Sequence, residues 1–480
     1  MRAASVRPPV NEDAIVPQGI PADDPGLLTV AQTSLLIDQY ELAMAASYLA
    51  RGMNEPAIFE LFVRELPPRR DWLLLAGLGP ALRMVAEIRF AEPELRYLET
   101  LGFRPALLRF LERFRFSGRI DAIPEGTIAF AGEPLVRVTG PRVEAQLLET
   151  LLLNQINFQT AIATKAARVV LAAGGGEPGA GERVFDFSAR RDHGVDAAMK
   201  AARSAAIAGV RGTSNVAAAM RYGMTPVGTM AHSYVMSFAD EQEAFQAFME
   251  DTPENTILLV DTYDTLAGVR HAIAAARKTG VALKGVRLDS GDLLQLSREA
   301  RRLLDEAGLG DAAIVASGDL EEVQIARLVA AGAPIDTWGV GTELGTSRDA
   351  PALGGVYKLV VDAMANGSGW RPVWKRSPAK ATIPGPKQVF RSYRGATMIG
   401  DLVAEASERR AGQPLLERFV EDGALVRRES LEELRARALH NLGALPPWLR
   451  RAGPQPPTPY PVTYSQRLLH LSPGLGLGDA

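Results

Sequence analysis

Apolar and polar positions along this chain follow two rhythms, and the change between them comes about a third of the way through. From Leu35 to Arg51, in LLIDQYELAMAASYLAR, apolar residues recur at three- and four-residue steps and predict a helix. The segment AIFELFVREL, residues 57–66, alternates instead and predicts a strand ended by Pro67 and Pro68. Residues 81–115 predict several amphipathic helices, and the Gly- and Pro-punctuated stretch 123–140 predicts two short strands. One long helical signal over 143–173 stops at Gly174, Gly175 and Gly176.

Past those glycines the pattern becomes a regular β/α alternation. VFDFSA (184–189), TPVGTM (225–230), TILLVD (256–261), GVRLDS (285–290), AIVASGD (313–319) and DTWGVG (336–341) predict strands, with helices over 265–278, 292–306 and 320–331. Strands separated by helices imply a parallel sheet. Their number and even spacing favour a closed α/β barrel over an open sheet. Right-handed crossovers then bring the carboxyl ends of the strands to one rim. Beyond Tyr357 the alternation stops: residues 371–400 are β-like, 428–441 helical, and the chain is Pro-rich from Leu445. The expected organisation is an N-terminal tail (1–27), a discontinuous first domain (28–170 with 356–450), a barrel domain (171–355) and a Pro-rich C-terminal tail (451–480).

Composition narrows the chemistry. A chain of 480 residues is too long for one simple core, which agrees with two domains. A formal net charge of −3 gives no bulk attraction to nucleic acid or to an anionic membrane, so an anionic ligand must be held by a few local Arg and Lys residues. The absence of cysteine removes disulfides and thiolate metal sites and fits a reducing, cytoplasmic setting. No apolar run reaches the roughly 20 residues of a membrane helix, and the first residues lack the apolar stretch of a signal peptide.

The polar clusters fall at the ends of the predicted strands. Arg190 and Arg191 follow the first of them. A guanidinium fits carboxylate or phosphate bidentately, but consecutive side chains on extended chain diverge, so at most one faces a ligand and a solvated surface pair is the alternative. Gly212, Thr213, Ser214 and Asn215 precede a helical run; such a turn presents N–H groups and hydroxyls to an anion, or is an ordinary N-cap. His232, one of five histidines, ends another strand and suits an acid, base or phosphoryl acceptor, or a packed residue. His193 is a second candidate, while His271, His440 and His470 take no role. Asp261 and Asp264 end one strand, and Arg287, Asp289, Ser290 and Asp292 the next. Carboxylates there can hold ribose hydroxyls or a hydrated Mg²⁺, or cap the following helices; Asp292 reads as a cap and Asp289 as the better ligand. Ser317-Gly318-Asp319 and Gly339-Val340-Gly341-Thr342 end the last two strands, where barrel loops often bind phosphate. Tight turns without a ligand are the alternative reading.

Taken together, these segments resemble the nicotinate phosphoribosyltransferase family. The resemblance runs from about Leu35 to Arg391 and returns near Tyr460. It is carried by LLIDQYELAMA, IFELFVRELP, ATKAARVV, FDFSARRDHG, GTSN, GTMAHSYVMSF, LLVDTYDT, RLDSGD, SGDLEE and GVGTELGTSRDAPALGGVYKLV. Ser188 departs from the glycine that many relatives carry before the Arg pair. The resemblance implies an α/β barrel beside an open α/β sandwich built from both chain ends, and a homodimer whose site straddles the interface. It implies conversion of nicotinate and phosphoribosyl pyrophosphate to nicotinate mononucleotide and pyrophosphate. Mg²⁺ is implied, with no direct side-chain ligand assigned, as is ATP hydrolysis coupled through a phosphohistidine at His232. The implied nicotinate contacts are Tyr40, reaching from the partner subunit, and Arg190, with Thr213 and Ser214 beside them. Arg287, Asp289 and Lys165 are implied for ribose and pyrophosphate, and Gly318, Gly341 and Thr342 for the 5′-phosphate. The sister enzyme acting on nicotinamide resembles the chain too, but its position matching Ser214 is an Asp, which repels a carboxylate; Ser214 favours the acid. Quinolinate phosphoribosyltransferase shares the barrel, but a dicarboxylate calls for more basic residues. A non-catalytic sugar-phosphate sensor has no need of His232, and a lyase needs a better-placed lysine than Lys284.

Overall fold

The alternating segment after Glu55 forms the strand Pro56–Val63, which lies at the middle of an antiparallel sheet. The computed structural model describes residues 31–363, 369–375, 382–451 and 459–471. The expected N-terminal tail, residues 1–27, lies outside them. The sheet runs in the order Trp370–Pro372, Gly355–Ala363, Pro56–Val63, Pro134–Pro141, Arg119–Ala122, Glu417–Glu421, Ala424–Leu425, so strands from both ends of the chain interleave. Pro56–Val63 is buried on both faces, which explains why a charged residue on it needs a partner: Glu60 is fully buried and meets the buried Lys387 ammonium at 2.7 Å. Lys387 opens a second sheet, Gln413–Pro414, Lys387–Arg394, Thr397–Glu405, Val462–Tyr464.

That last strand was not expected. The sequence places it in a Pro-rich tail, yet Val462–Tyr464 pairs in parallel with Thr397–Glu405. Just before it, the Tyr460 ring stacks on Phe130 at 3.8 Å between centroids, and its hydroxyl donates to Asp401 at 3.0 Å. The segment is held by contacts distant in sequence, which local composition does not reveal.

The β/α region forms the second large sheet, in the order Thr225–Pro226, Gly212–Thr213, Val184–Asp186, Thr337–Val340, Ala313–Ala316, Gly285–Leu288, Ile257–Leu259. All neighbours are parallel. The expected barrel beside a sandwich of sheets is therefore present, with two differences. Gly212–Thr213, read from sequence as a turn, is a short strand that joins its neighbours. The edge strands Thr225–Pro226 and Ile257–Leu259 do not pair with each other among the described residues, so the barrel wall is incomplete. Parallel pairing still sends every carboxyl end to the same rim.

The predicted 143–173 helix is two, Arg142–Gln146 and Glu149–Ala173. The longer one is the axle of the molecule. Its first half puts Leu151, Leu152 and Ile156 into the core beneath the antiparallel sheet. Its second half, rich in alanine, lies in the barrel core with Ile162, Val169 and Val170, and packs against the helices Val195–Ile207 and Glu322–Ala330. Small side chains let those helices approach it closely. No helix among the described residues is long and apolar enough to cross a membrane.

Candidate active site

In the barrel sheet Arg287 aligns with Val315 and Leu288 with Ala316, so Asp289 and Ser317, one residue further on, leave the sheet side by side. They close a compact knot. Arg287 donates from Nη2 to Asp289 Oδ1 at 2.6 Å, from Nε to Ser317 Oγ at 2.8 Å and from Nη1 to Thr229 Oγ1 at 3.3 Å. Ser317 Oγ donates to the same Asp289 oxygen at 2.5 Å. Burial alone would push the Asp289 carboxyl up; the Ser317 hydroxyl and the Arg287 charge outweigh it and hold the group below the usual carboxylate range. The Arg287 guanidinium also lies over the Phe187 ring, 5.4 Å from its centroid.

His232 stands beside this knot, first residue of the short helix His232–Val235. Its Nδ1 is 3.2 Å from Thr262 Oγ1 and its Nε2 is 3.9 Å from Asp289 Oδ2, with 41% of the side chain exposed. The threonine fixes the ring plane and leaves Nε2 facing the carboxylate and solvent. Asp261 backs the arrangement: its Oδ2 accepts from the Asp289 N–H at 3.0 Å and from Ser290 Oγ at 2.6 Å. Its Oδ1 is buried without a hydrogen-bond partner. Asp264 and Asp292 cap the helices Thr265–Thr279 and Leu293–Glu306, so for Asp292 the cap reading holds. Among the described residues no three His, Cys, Asp or Glu side chains gather as a metal cage.

The glycine turns adjoin the same knot. Gly318 has φ +89°, and a Cβ there would lie 1.9 Å from the Asp289 carbonyl oxygen, so only glycine lets the two loops touch. A Cβ on Gly339 would sit 2.5 Å from the Phe187 ring, and one on Gly341 3.4 Å from the Phe187 carbonyl oxygen. Phe187 thus links Arg287, the Gly341-Thr342 turn and, three residues on, Arg190. Arg190 is exposed and makes no ion pair or hydrogen bond among the described residues. Ser214 is likewise exposed, while Asn215 takes the cap of Val216–Tyr222 by accepting from the Ala218 N–H at 3.1 Å.

Three of the expected contact residues do not face this rim within one chain, and of these Tyr40 was expected to reach it from the partner subunit. The Thr213 side chain is fully buried and donates to Asp186 Oδ2 at 2.8 Å, so its hydroxyl belongs to the fold. Lys165 is fully buried among carboxylates, its Nζ 2.6 Å from Glu322, 3.0 Å from Asp349 and 3.3 Å from Glu343, and no surface of it is left for a ligand. Tyr40 is half-exposed and opens onto a separate cavity of about 400 Å³ lined by Glu149, Asn154, Asn157 and Pro351, with no rim residue among its walls. Sequence reading overlooked Phe187, Thr229, Thr262 and the role of Ser317. Their signal was faint: Phe187, Thr262 and Ser317 lie next to named residues and Thr229 three before His232, but only contacts across strands give them a task.

Comparison with known proteins shows which family the chain resembles. Residues 35–157 match the nicotinate phosphoribosyltransferase (NAPRTase) N-terminal domain, and residues 183–324 match the nicotinate phosphoribosyltransferase (NAPRTase) family. The chain is 46% identical over 441 residues to nicotinate phosphoribosyltransferase pncB2 of Mycobacterium tuberculosis, covering 91% of this chain and 92% of that one. It is 42% identical over 401 residues to nicotinate phosphoribosyltransferase of Bacillus subtilis, covering 80% and 79%. The crystal structure of human nicotinic acid phosphoribosyltransferase superposes with a TM-score of 0.77 at 29% identity, over 91% of this chain and 99% of that one.

Proposed function

Because the chain belongs to the nicotinate phosphoribosyltransferase family, we propose that it joins nicotinate to phosphoribosyl pyrophosphate, giving nicotinate mononucleotide and pyrophosphate in NAD biosynthesis. We propose further that ATP hydrolysis drives this step through a phosphorylated His232. The observation that carries the reading is the Arg287–Asp289–Ser317 knot with His232 beside it and an unpaired Arg190 on the same rim.

The pyridine nitrogen is neutral near pH 7 and already nucleophilic, so attack on the anomeric carbon requires no general base. Catalysis reduces to placing that nitrogen and stabilising the departing pyrophosphate. Arg190 and Ser214 are assigned to the nicotinate carboxylate, Gly318, Gly341 and Thr342 to the 5′-phosphate, and Arg287 with Asp289 to the ribose and pyrophosphate. Among the described residues neither Arg190 nor Ser214 has a carboxylate partner, and a cation without a counterion favours an acid over an amide. The donor set suits Mg²⁺: Asp261 offers a buried, unpartnered oxygen and Asp289 a carboxylate held ionised. Bound through these two and water, the ion would supply positive charge to the leaving pyrophosphate. The 41% exposure of the His232 side chain supports a phosphoryl acceptor at Nε2, and phosphorylation there would add roughly −1.5 to −2 charge next to Asp289, by analogy with other phospho-residues.

A homodimer is part of the proposal. Val216, Met220, Met236 and Tyr263 stand exposed around the rim, each on a loop or helix that follows a strand end, and apolar surface gathered this way suits a covering partner. Tyr40 of the partner subunit would then reach the nicotinate ring. The test is incubation with phosphoribosyl pyrophosphate, Mg²⁺, ATP and either pyridine, followed by mass detection of product. Nicotinate mononucleotide formed with ATP consumed supports the reading; nicotinamide outcompeting nicotinate overturns the substrate assignment, and tight donor binding without pyrophosphate release would indicate a sensor. His232→Ala should abolish ATP stimulation and leave a slow ATP-independent transfer. A variant that still hydrolyses ATP in step with product would end the phosphohistidine reading.

A further inference from the structure

Behind the two residues assigned to the nicotinate carboxylate lies a buried acid that those assignments do not use. Asp186 ends the strand Val184–Asp186 and is 1% exposed. No cation pairs with it among the described residues. Its Oδ1 accepts from the Ser188 N–H at 2.9 Å, its Oδ2 from Thr213 Oγ1 at 2.8 Å, and its main-chain oxygen from the Ser214 N–H at 2.8 Å. One residue therefore clasps the start of the Arg190 turn with one carboxylate oxygen and the Ser214 turn with the other. The clasp extends outward. Ser188 Oγ donates to Asp192 Oδ2 at 3.1 Å, which closes the Arg190 turn on itself. Gly345 is pressed against this bond: a Cβ there would lie 1.9 Å from Asp192 Oδ1 and 2.4 Å from Ser188 Oγ. The short helix Thr342–Gly345, which starts at the Gly341 turn, is thereby fixed to the same place.

We propose that Asp186 is a positioning residue for acid recognition, setting through Thr213 and Ser188 the separation between Ser214 and Arg190 that a pyridine carboxylate requires. This rests on the reading that Arg190 and Ser214 receive that carboxylate. The Ser188 N–H requires an acceptor and the Thr213 hydroxyl donates to a second one, and the two oxygens of one carboxylate serve both. A buried acid without a cation is costly to retain for packing alone. Burial pushes its pKa up, and the bonds from Ser188 and Thr213 oppose that shift. The clasp acts on the pyridine side of the site, so its loss should weaken nicotinate binding while leaving the sugar donor untouched.

The test is steady-state kinetics of the full-length protein with Thr213→Val, Thr213→Ser and Arg190→Ala, varying nicotinate and phosphoribosyl pyrophosphate in turn. Removing one donor to a buried acceptor predicts a nicotinate KM raised about tenfold in Thr213→Val. The donor KM should hold near wild type, kcat should change little, and Thr213→Ser, which restores the hydroxyl, should recover nicotinate KM. An unchanged nicotinate KM in Thr213→Val, or equal rises in both KM values, overturns the inference when Arg190→Ala does raise nicotinate KM. An unchanged nicotinate KM in Arg190→Ala overturns the underlying reading of acid recognition, and the inference falls with it. Should Thr213→Val not fold, Ser188→Ala keeps the Ser188 N–H bond to Asp186 but removes the hydroxyl bond to Asp192 that closes the Arg190 turn, and it reads this outer part of the clasp with the same expected split.

Discussion

Replacing Lys165 with Met removes one positive charge from a buried cluster while keeping most of the side chain's bulk. The cluster holds three cations, Arg70, Lys165 and Arg168, and three carboxylates, Glu322, Glu343 and Asp349. In the variant two buried cations face three carboxylates, of which, among the described residues, only Glu343 keeps a further partner, the exposed Arg348 at 3.4 Å. Breaking a buried pair by removing one partner costs roughly 3–5 kcal/mol, because the remaining charge is left without compensation. For a chain of this length, unfolding entropy of about 2.1 cal/mol/K per residue converts ~4 kcal/mol into a Tm lower by about 4 °C. The pH dependence carries a definite sign. Burial would raise the Asp349 and Glu322 carboxyls, but the Arg70 bond and Lys165 charge at Asp349, and Lys165 with Arg168 at Glu322, hold both below the ordinary range. Groups depressed in the folded state stabilise it above their unfolded pKa and lose that stabilisation as pH falls. Wild type therefore loses more than the variant on acidification, and the Tm gap should narrow from about pH 7.5 to about pH 4. Thermal unfolding followed by circular dichroism at both pH values measures it. A gap under about 1 °C at neutral pH, or a gap that does not narrow on acidification, would refute the charge-balance reasoning. Activity gives a second reading. Glu322 lies four residues past Gly318 and Glu343 two past Gly341, so loosening them should raise the KM for phosphoribosyl pyrophosphate more than that for nicotinate.

Two further perturbations probe other parts of the structure. Gly318→Ala places a methyl 1.9 Å from the Asp289 carbonyl oxygen at a φ of +89°; the strain, of order 1–3 kcal/mol, should displace the 5′-phosphate turn and raise the donor KM while far-UV dichroism stays unchanged, and wild-type donor KM would count against that turn. Glu41 is fully buried, and burial pushes its carboxyl up to about 7. An acid raised in the folded state destabilises that state as pH climbs from its unfolded value through 7, so Glu41→Gln should be more stable than wild type at about pH 8, by ~2 kcal/mol, and by much less at about pH 5. Denaturant midpoints at the two pH values decide it.

Much of the barrel was legible because its punctuation is local. Asp264 and Asp292 cap the helices that follow two strands, and Gly280 ends one of them in the left-handed conformation, so the element borders are written in single residues. Gly212–Thr213 was not legible as a strand, since two residues show no period; what makes it one is pairing with Phe185, Asp186, Thr225 and Pro226 on either side. The division of the long helical signal at Leu147 and Leu148 is hidden for a related reason. Both are fully buried, so the apolar rhythm runs on while the backbone ends one helix and starts the next. Val462–Tyr464 lay in a Pro-rich setting, and its place depends on Tyr460 meeting Phe130 and Asp401, contacts no local window contains.

The site was legible in its residue types and not in their commitments. A parallel sheet gathers strand ends whatever their sequence, so Arg287, Asp289 and His232 could be placed together from order alone. Whether a polar group is free is decided by neighbours from other strands. Thr213 and Ser214 show the difference within two residues: alternation turns the first inward onto Asp186 and leaves the second exposed. Ser317 is bonded into the Arg287 knot, and Gly318 after it is left open on the rim. Arg190 and, through the resemblance alone, Lys165 were both named for anionic groups, but Lys165 is enclosed by three carboxylates and Arg190 has none among the described residues. In each case the group committed to the fold stands beside or behind the group left open, and the first fixes where the second can go. A rim built this way leaves Arg190 without a counter-charge among the described residues, because Asp186 is held by Ser188 and Thr213 and Asp192 Oδ2 by Ser188, while Asp192 Oδ1 is buried without a hydrogen-bond partner and makes no ion pair with the guanidinium. Had any of those carboxylates been turned toward Arg190 instead, the cation would be neutralised and the attraction for an acidic substrate lost.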